Sequence, residues 1–224
     1  MDSRVMEWRE VEGVEWLEAK LPGARAVFTT RSAGSMKEDR WMLAEALDIA
    51  EERIVTSRQV HGAELAFHDA PTVETPAVDG HVMLQPGPIG LVYTADCLPV
   101  AVAGPDGVAM LHCGWRGLAA GIVARGAEAV GATHAAIGPG IGPCCYEVGD
   151  EVLAEFAELG DGVADGRMLD LTEVAKRLLF QAGVETIGTE PICTRCEPEL
   201  FFSHRRDATP HRQAGLAWLD GSGV

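Results

Sequence analysis

The sequence predicts a layered α+β fold. Short strand-like runs crowd residues 60–112, and the helix-like segments are too few for a regular βαβ repeat. No internal repeat, single-residue tract or flexible linker divides the 224 residues. A chain of this length buries roughly 70–75% of its extended surface, enough for a core without staples. Residues 1–224 are therefore expected to form a single domain. Apolar residues are 47% and charged residues 23%, a soluble globular composition that excludes disorder, collagen and coiled coil.

In chain order, residues 24–30 read as a strand and 38–50 as a helix with Met42, Leu43, Ala46 and Leu47 on one face. Residues 65–67, 80–84, 90–94 and 98–103 are short strands, two of them separated by Gln85-Pro-Gly-Pro88. Gly104-Pro-Asp-Gly107 is a turn signal that makes 98–103 and 108–112 a hairpin. A helix from about 118 to 130, a strand over 133–137 and a helix over 150–159 follow. The helix over 171–182 is the best marked: Asp170 caps it, Glu173 is placed to reciprocate, and Gly183 stops it. Residues 201–202 and 213–219 are the closing strands.

Charge narrows the function. Eighteen Lys and Arg against 34 Asp and Glu leave a formal charge of −16. Such a surface repels nucleic acid and anionic lipid, so neither is expected as a partner, and an anionic substrate needs a locally basic pocket. No apolar run approaches ~18 residues, and residues 1–16 carry charge throughout with no signal-peptide core. Six cysteines in such a chain suit thiols, metal ligation or catalysis better than a disulfide framework. The protein is expected in the cytoplasm; oligomeric state has no signature in the sequence.

Three segments place metal-capable side chains beside glycines: Gln59-Val60-His61-Gly62, Thr94-Ala95-Asp96-Cys97-Leu98-Pro99-Val100 and Leu111-His112-Cys113-Gly114-Trp115-Arg116-Gly117. Each puts its His or Cys near the end of an apolar run, and strand ends deliver side chains to a common rim. One Cys and two His make a three-ligand zinc set with a fourth position open to water or substrate. The same residues also read as hydrogen-bonded strand-end histidines and a small core cysteine.

These segments, in this order, resemble the YfiH-type laccase-domain family, whose members have been called polyphenol oxidases and purine nucleoside phosphorylases. The likeness runs from Phe28-Thr-Thr-Arg31 through residues 137–148 to Cys193-Thr194 and Phe201-Phe202-Ser203-His204-Arg205-Arg206-Asp207. The resemblance implies a single four-layered α/β/β/α domain and one zinc held by His61, Cys97 and His112, which would also be the catalytic residues. It implies phosphorolysis of purine nucleosides (adenosine, inosine, guanosine or methylthioadenosine), with adenosine deamination as a side activity. The sequence departs from the family in a shortened loop after Arg31 and in Cys113, where alanine is commoner.

Arg31, Arg116 and Arg205 are expected to bind phosphate; Arg116, just before a helix, can also meet an anion with free amides. Tyr146 or Phe202 can stack on the purine. Asp79 reads as a turn residue or as the holder of a site loop, and Asp96 as a hydrogen-bonding neighbour of the metal ligands. Residues 138–143 can present amides to an anion or form only a tight loop. His68 and His81 read as ordinary histidines, His204 as a hydrogen-bonding residue and Cys113 as a core thiol. Cys193-Thr-Arg-Cys196 has no second pair beside it in sequence, and the adjacency of Cys144 and Cys145 disfavours both ligating one ion, so no second metal is expected and Cys193 and Cys196 read as structural thiols. Two rival readings use other chemistry. A copper-dependent phenol oxidase needs His clusters that seven scattered histidines do not supply. A Cys97–His112 hydrolase, including an amidase acting on cell-wall precursors, uses the same residues as the zinc site.

Overall fold

The computed structural model describes residues 6–221; the first five residues of the charged N-terminal stretch lie outside them. The strands are β1 Met6–Val11, β2 Val14–Leu21, β3 Ala24–Thr29, β4 Ile54–Val55, β5 Leu65–His68, β6 Gly80–Met83, β7 Ile89–Thr94, β8 Leu98–Gly104, β9 Gly107–Cys113, β10 His134–Ile137, β11 Ala164–Asp165, β12 Met168–Leu169, β13 Thr186–Thr189 and β14 Gln213–Leu219. The helices are α1 Arg40–Leu47, α2 Trp115–Ala119, α3 Ile122–Val130, α4 Asp150–Glu155, α5 Leu171–Gln181 and α6 His204–Asp207.

Two six-stranded mixed sheets carry the fold, in the orders β1-β2-β3-β14-β7-β4 and β13-β10-β8-β9-β6-β5. They face each other across a layer of small and flexible apolar side chains, among them Ala19, Ala26, Met83, Ala101, Met110 and Ala217. Close approach requires the small residues: a Cβ on Gly215 would lie 2.5 Å from Pro99 Cβ. α1 covers the outer face of the first sheet through Leu43. α2 to α5 cover the second through residues such as Leu118, Val123, Val152 and Val174. The layers therefore run α/β/β/α.

The hairpin β8–β9 pairs through Gly104↔Gly107, and Asp170 caps α5 by accepting from the Glu173 amide at 2.9 Å. The expected reciprocal bond is replaced: Glu173 Oε1 accepts from Arg177 Nε at 2.8 Å. The helix expected over 118–130 starts earlier and is broken, because Gly121 sits at φ +85 between α2 and α3. The expected helix over 150–159 ends at Glu155 and continues as a 3-10 turn. Residues 201–202 form no strand. The Gln213 side-chain amide stands in for a strand partner, accepting from Phe202 N at 2.9 Å and donating to its carbonyl at 3.1 Å. β1, β2 and β13 carry no strand signal in the sequence reading.

β7 lies in the first sheet and β8 in the second, so residues 95–97 step between them. Asp96 makes that step with φ +92, a left-handed conformation uncommon outside glycine. The crossover delivers Cys97 to the rim where the sheets meet.

Candidate metal centre

His61, Cys97 and His112 converge there, their ligand atoms all within 4.8 Å of one another. His112 is at the end of β9, opposite Pro99 in β8, which sets it beside Cys97. Cys113, one residue on, points to the helix-covered face and is fully buried, as expected of a core thiol. His61 lies on the loop after β4 with φ +60. Gln59 ties that loop to β7, accepting from Tyr93 N at 2.7 Å and donating to its carbonyl at 2.8 Å. The His61 and His112 rings meet edge to face, 4.8 Å between centroids.

Asp79 fixes both histidines. Its Oδ1 accepts from His61 N at 2.9 Å and from His112 Nδ1 at 2.8 Å. Its Oδ2 accepts from Val60 N at 3.0 Å and Gly62 N at 2.8 Å. Asp79 is thus the loop holder of the two sequence readings. With Nδ1 bound to the Asp79 carboxylate, Nε2 of His112 is the nitrogen left to face a metal, the usual arrangement beside one. Burial opposes ionisation of Asp79, but the His112 bond and the loop amides hold it below the ordinary carboxylate range.

Without a metal the electrostatics pair a Cys97 thiolate with a His112 imidazolium, whose proton a zinc ion would displace. Burial alone would raise the Cys97 thiol; the charge of His112 and hydrogen bonds from both histidines bring it down to about 6. Burial disfavours charged His112, yet the Cys97 thiolate and the Asp79 bond push it up to about 9. The space is also reserved: a Cβ on Gly114 would lie 2.9 Å from Cys97 Sγ and 3.4 Å from His61 Cδ2. Two imidazoles, one thiolate and this kept gap fit a zinc ion with an open position.

The three residues line a cavity of about 660 Å³. Arg116, Arg205, Tyr146 and His204 line it too, as do Lys37, Arg58, Tyr93, Trp115 and Arg212, which the sequence reading missed. Five Lys and Arg therefore face the cavity, against the one carboxylate Asp96. Arg58 adjoins the first motif; Lys37 and Arg212 carry no signal of spacing. Burial and the nearby Cys97 charge raise the Tyr146 phenol to about 12, so it stays a hydrogen-bond donor.

The other candidate residues stand as follows. Arg31 does not line the cavity: Nη1 donates to the Pro198 carbonyl at 2.8 Å, and the guanidinium lies 4.8 Å over the Phe202 ring. Phe202 is buried and likewise absent from the cavity wall. Arg116 lies inside α2, not before it, and packs 4.3 Å over Trp115. Asp96 turns away from the ligands, accepting from Thr194 Oγ1 at 2.8 Å and Arg205 N at 2.6 Å. The loop over 138–143 spends amides on neighbouring segments: Gly138 donates to Pro99, Ile141 to Asp96 and Gly142 to Cys193 Sγ. His68 and His81 form a buried pair, Nε2 to Nδ1 at 2.9 Å. Cys144 and Cys145 are neighbours in space of Cys193 and Cys196, although the two pairs are far apart in sequence.

Among similar proteins, a purine nucleoside phosphorylase of Streptomyces coelicolor is 37% identical, over 95% of this chain and 93% of that protein. The YlmD phosphorylase of Geobacillus stearothermophilus is 33% identical over 86% and 89%. The YlmD crystal structure superposes with a TM-score of 0.80 at 30% identity, covering 97% of this chain and all of that one. Bacillus licheniformis YfiH gives 0.81 at 26% identity, over 95% and 99%. Residues 26–220 match the family described as multi-copper polyphenol oxidoreductase laccase, and with a fold and relatives that agree, the chain belongs to that family, alongside YfiH and YlmD.

Proposed function

We propose that this chain is a zinc-dependent purine nucleoside phosphorylase, acting as one folded unit in the cytoplasm. The observation that carries the reading is the cavity itself: a two-histidine, one-cysteine set in a pocket with five cationic side chains, on a chain of charge −16. The naming of the relatives as phosphorylases supports the substrate class. His61, Cys97 and His112 hold the ion, which when bound supplies Lewis acidity without redox chemistry. Arg116 and Arg205, with Arg58, hold phosphate, and Tyr146 forms an aromatic wall for the purine. Phosphate oxygen bonds to C1′ of the ribose as the bond from C1′ to the purine nitrogen breaks, and the base departs with that electron pair. The cations position phosphate for that attack and lower its charge repulsion.

The test is product analysis on adenosine, inosine, guanosine and methylthioadenosine. Free base and ribose 1-phosphate (or its methylthio analogue) are expected with phosphate present, and inosine from adenosine without phosphate marks the deaminase side activity. His61→Ala, Cys97→Ala and His112→Ala should each lose the cavity zinc and activity while circular dichroism stays native. Full zinc retention in all three would defeat the ligand assignment. Oxygen uptake on phenols without nucleoside turnover would defeat the substrate class. Copper fits less well, since a multicopper centre needs several His clusters and, among the described residues, His61, Cys97 and His112 are the one group of three or more metal-capable side chains that contains histidine.

One second reading has its own observation. A lowered Cys97 beside a raised His112 that Asp79 orients is also the layout of a cysteine hydrolase. Tightly held zinc that blocks alkylation of Cys97 excludes it.

A further inference from the structure

We infer that Cys144, Cys145, Cys193 and Cys196 form a second metal site, a closed four-thiolate zinc centre apart from the cavity. All four sulfurs lie within 4.8 Å of one another. Cys196 Sγ is 3.6 Å from Cys144 Sγ and 3.4 Å from Cys145 Sγ. Four sulfurs at about 2.3 Å from a tetrahedral zinc stand about 3.8 Å apart, so small side-chain movements convert this cluster into a ligand shell. A multi-iron cluster would need the thiolates spread around a larger body, so the compactness selects one ion.

The backbone is arranged for it. Two turns, one after β10 and one before α6, are pinned together by the bridge Gly140↔Cys193 and by Thr194 N donating to the Gly140 carbonyl at 2.9 Å. Within the turns, Cys145 N donates to Gly142 O and Cys196 N to Cys193 O, each at 3.0 Å. Gly142 N donates to Cys193 Sγ at 3.2 Å, which ties the first turn to the second. Arg206 holds the Cys193–Cys196 turn in shape from outside, donating to the carbonyls of Thr194 at 2.9 Å and Arg195 at 3.0 Å. Zinc enters by replacing the thiol protons, which leave to solvent. The adjacency of Cys144 and Cys145 is no obstacle, because their turn sends both sulfurs toward the other pair.

The site would staple a segment with little regular structure, residues 190–203, to the loop after β10. That segment carries Thr194 to Asp96 and leads into α6, which brings His204 and Arg205 to the cavity. Its role is structural, outside the reacting atoms.

The experiment is metal analysis of protein purified under reducing conditions without added zinc, followed by cobalt substitution. The intact chain should carry about two zinc ions, and Cys144→Ser with Cys196→Ser about one. Cobalt-loaded His61→Ala, Cys97→Ala protein should keep the ligand-field and charge-transfer bands of a tetrahedral four-thiolate ion, which do not involve activity. Cys196→His, which retains a fourth ligand, should keep the ion with shifted bands and guards against a simple folding failure. Unchanged zinc content in Cys144→Ser, Cys196→Ser protein would overturn the proposal. So would four rapidly reacting thiols in the untreated native protein, or a disulfide among the four in a non-reducing peptide map.

Discussion

Four hydrogen-bond donors converge on the Asp79 carboxylate, three loop amides and the His112 imidazole. An asparagine keeps one acceptor oxygen and turns an NH2 group toward two of those donors. Asp79→Asn should therefore weaken zinc binding roughly 10–100-fold, measured by competition with a chromophoric chelator. Undiminished affinity would show that the loop needs no such clasp. The motifs around His61, Cys97 and His112 and their family resemblance pointed to these three residues, and the structure brings their ligand atoms together. The commitment of Asp79 is not legible in sequence, since its donors come from loops that only the fold assembles. His81 gives a different test. Burial, then the nearby charge of His68, lowers it to about 3, so the folded state keeps it neutral. An unfolded histidine takes up its proton near pH ~6.5. The contribution is therefore whole above pH ~6.5 and is lost as pH falls from there toward 3, by up to about 1.4 kcal/mol per pH unit. Urea unfolding of His81→Leu should show a shallower loss between pH 6.5 and 5 than the unsubstituted protein; parallel slopes would contradict it.

Elements were legible where local chemistry marks both ends. α5 has a cap, an apolar face of Leu171, Val174, Ala175 and Leu179, and a stop at Gly183 with φ +86. Asp170→Ala removes the cap bond and should cost about 1 kcal/mol. In a chain of this size that is a fall of roughly 2–4 °C in Tm, read by calorimetry. The hairpin β8–β9 was legible for the same reason, a turn with glycines at both flanks. β1 was not: it is an edge strand with every residue after Met6 exposed, so no alternation records it. Residues 201–202 misled because they are buried like a strand, but the amide that pairs with them belongs to a side chain, Gln213.

At the scale of the whole molecule, a chain with a formal charge of −16 carries a cavity lined by five Lys and Arg. Arginines drawn from separate motifs were expected to share a rim; Arg116 and Arg205 do, but Arg31 is held against Pro198 and Phe202. Sequence separation cannot say which guanidinium a nearby carbonyl will capture. Arg116→Ala should raise the apparent KM for phosphate about 10-fold or more with a smaller change in kcat. Raising ionic strength should narrow the difference between variant and parent, because salt screens the lost charge. An equal fall in kcat at unchanged KM would remove Arg116 from phosphate binding.

The place of β14 between β3 and β7 sets a timetable for the nascent chain. Phe28 pairs with Gly215, so β3 is made long before its neighbour exists. Throughout that interval β3 offers an unpaired edge, open to wrong partners, and closure of the first sheet waits for a distant segment. A chain stopped after Arg212 should therefore collect in the insoluble fraction even with the cavity's side chains present. Soluble, cooperatively unfolding protein from that truncation would mean the sheet can close without its central strand.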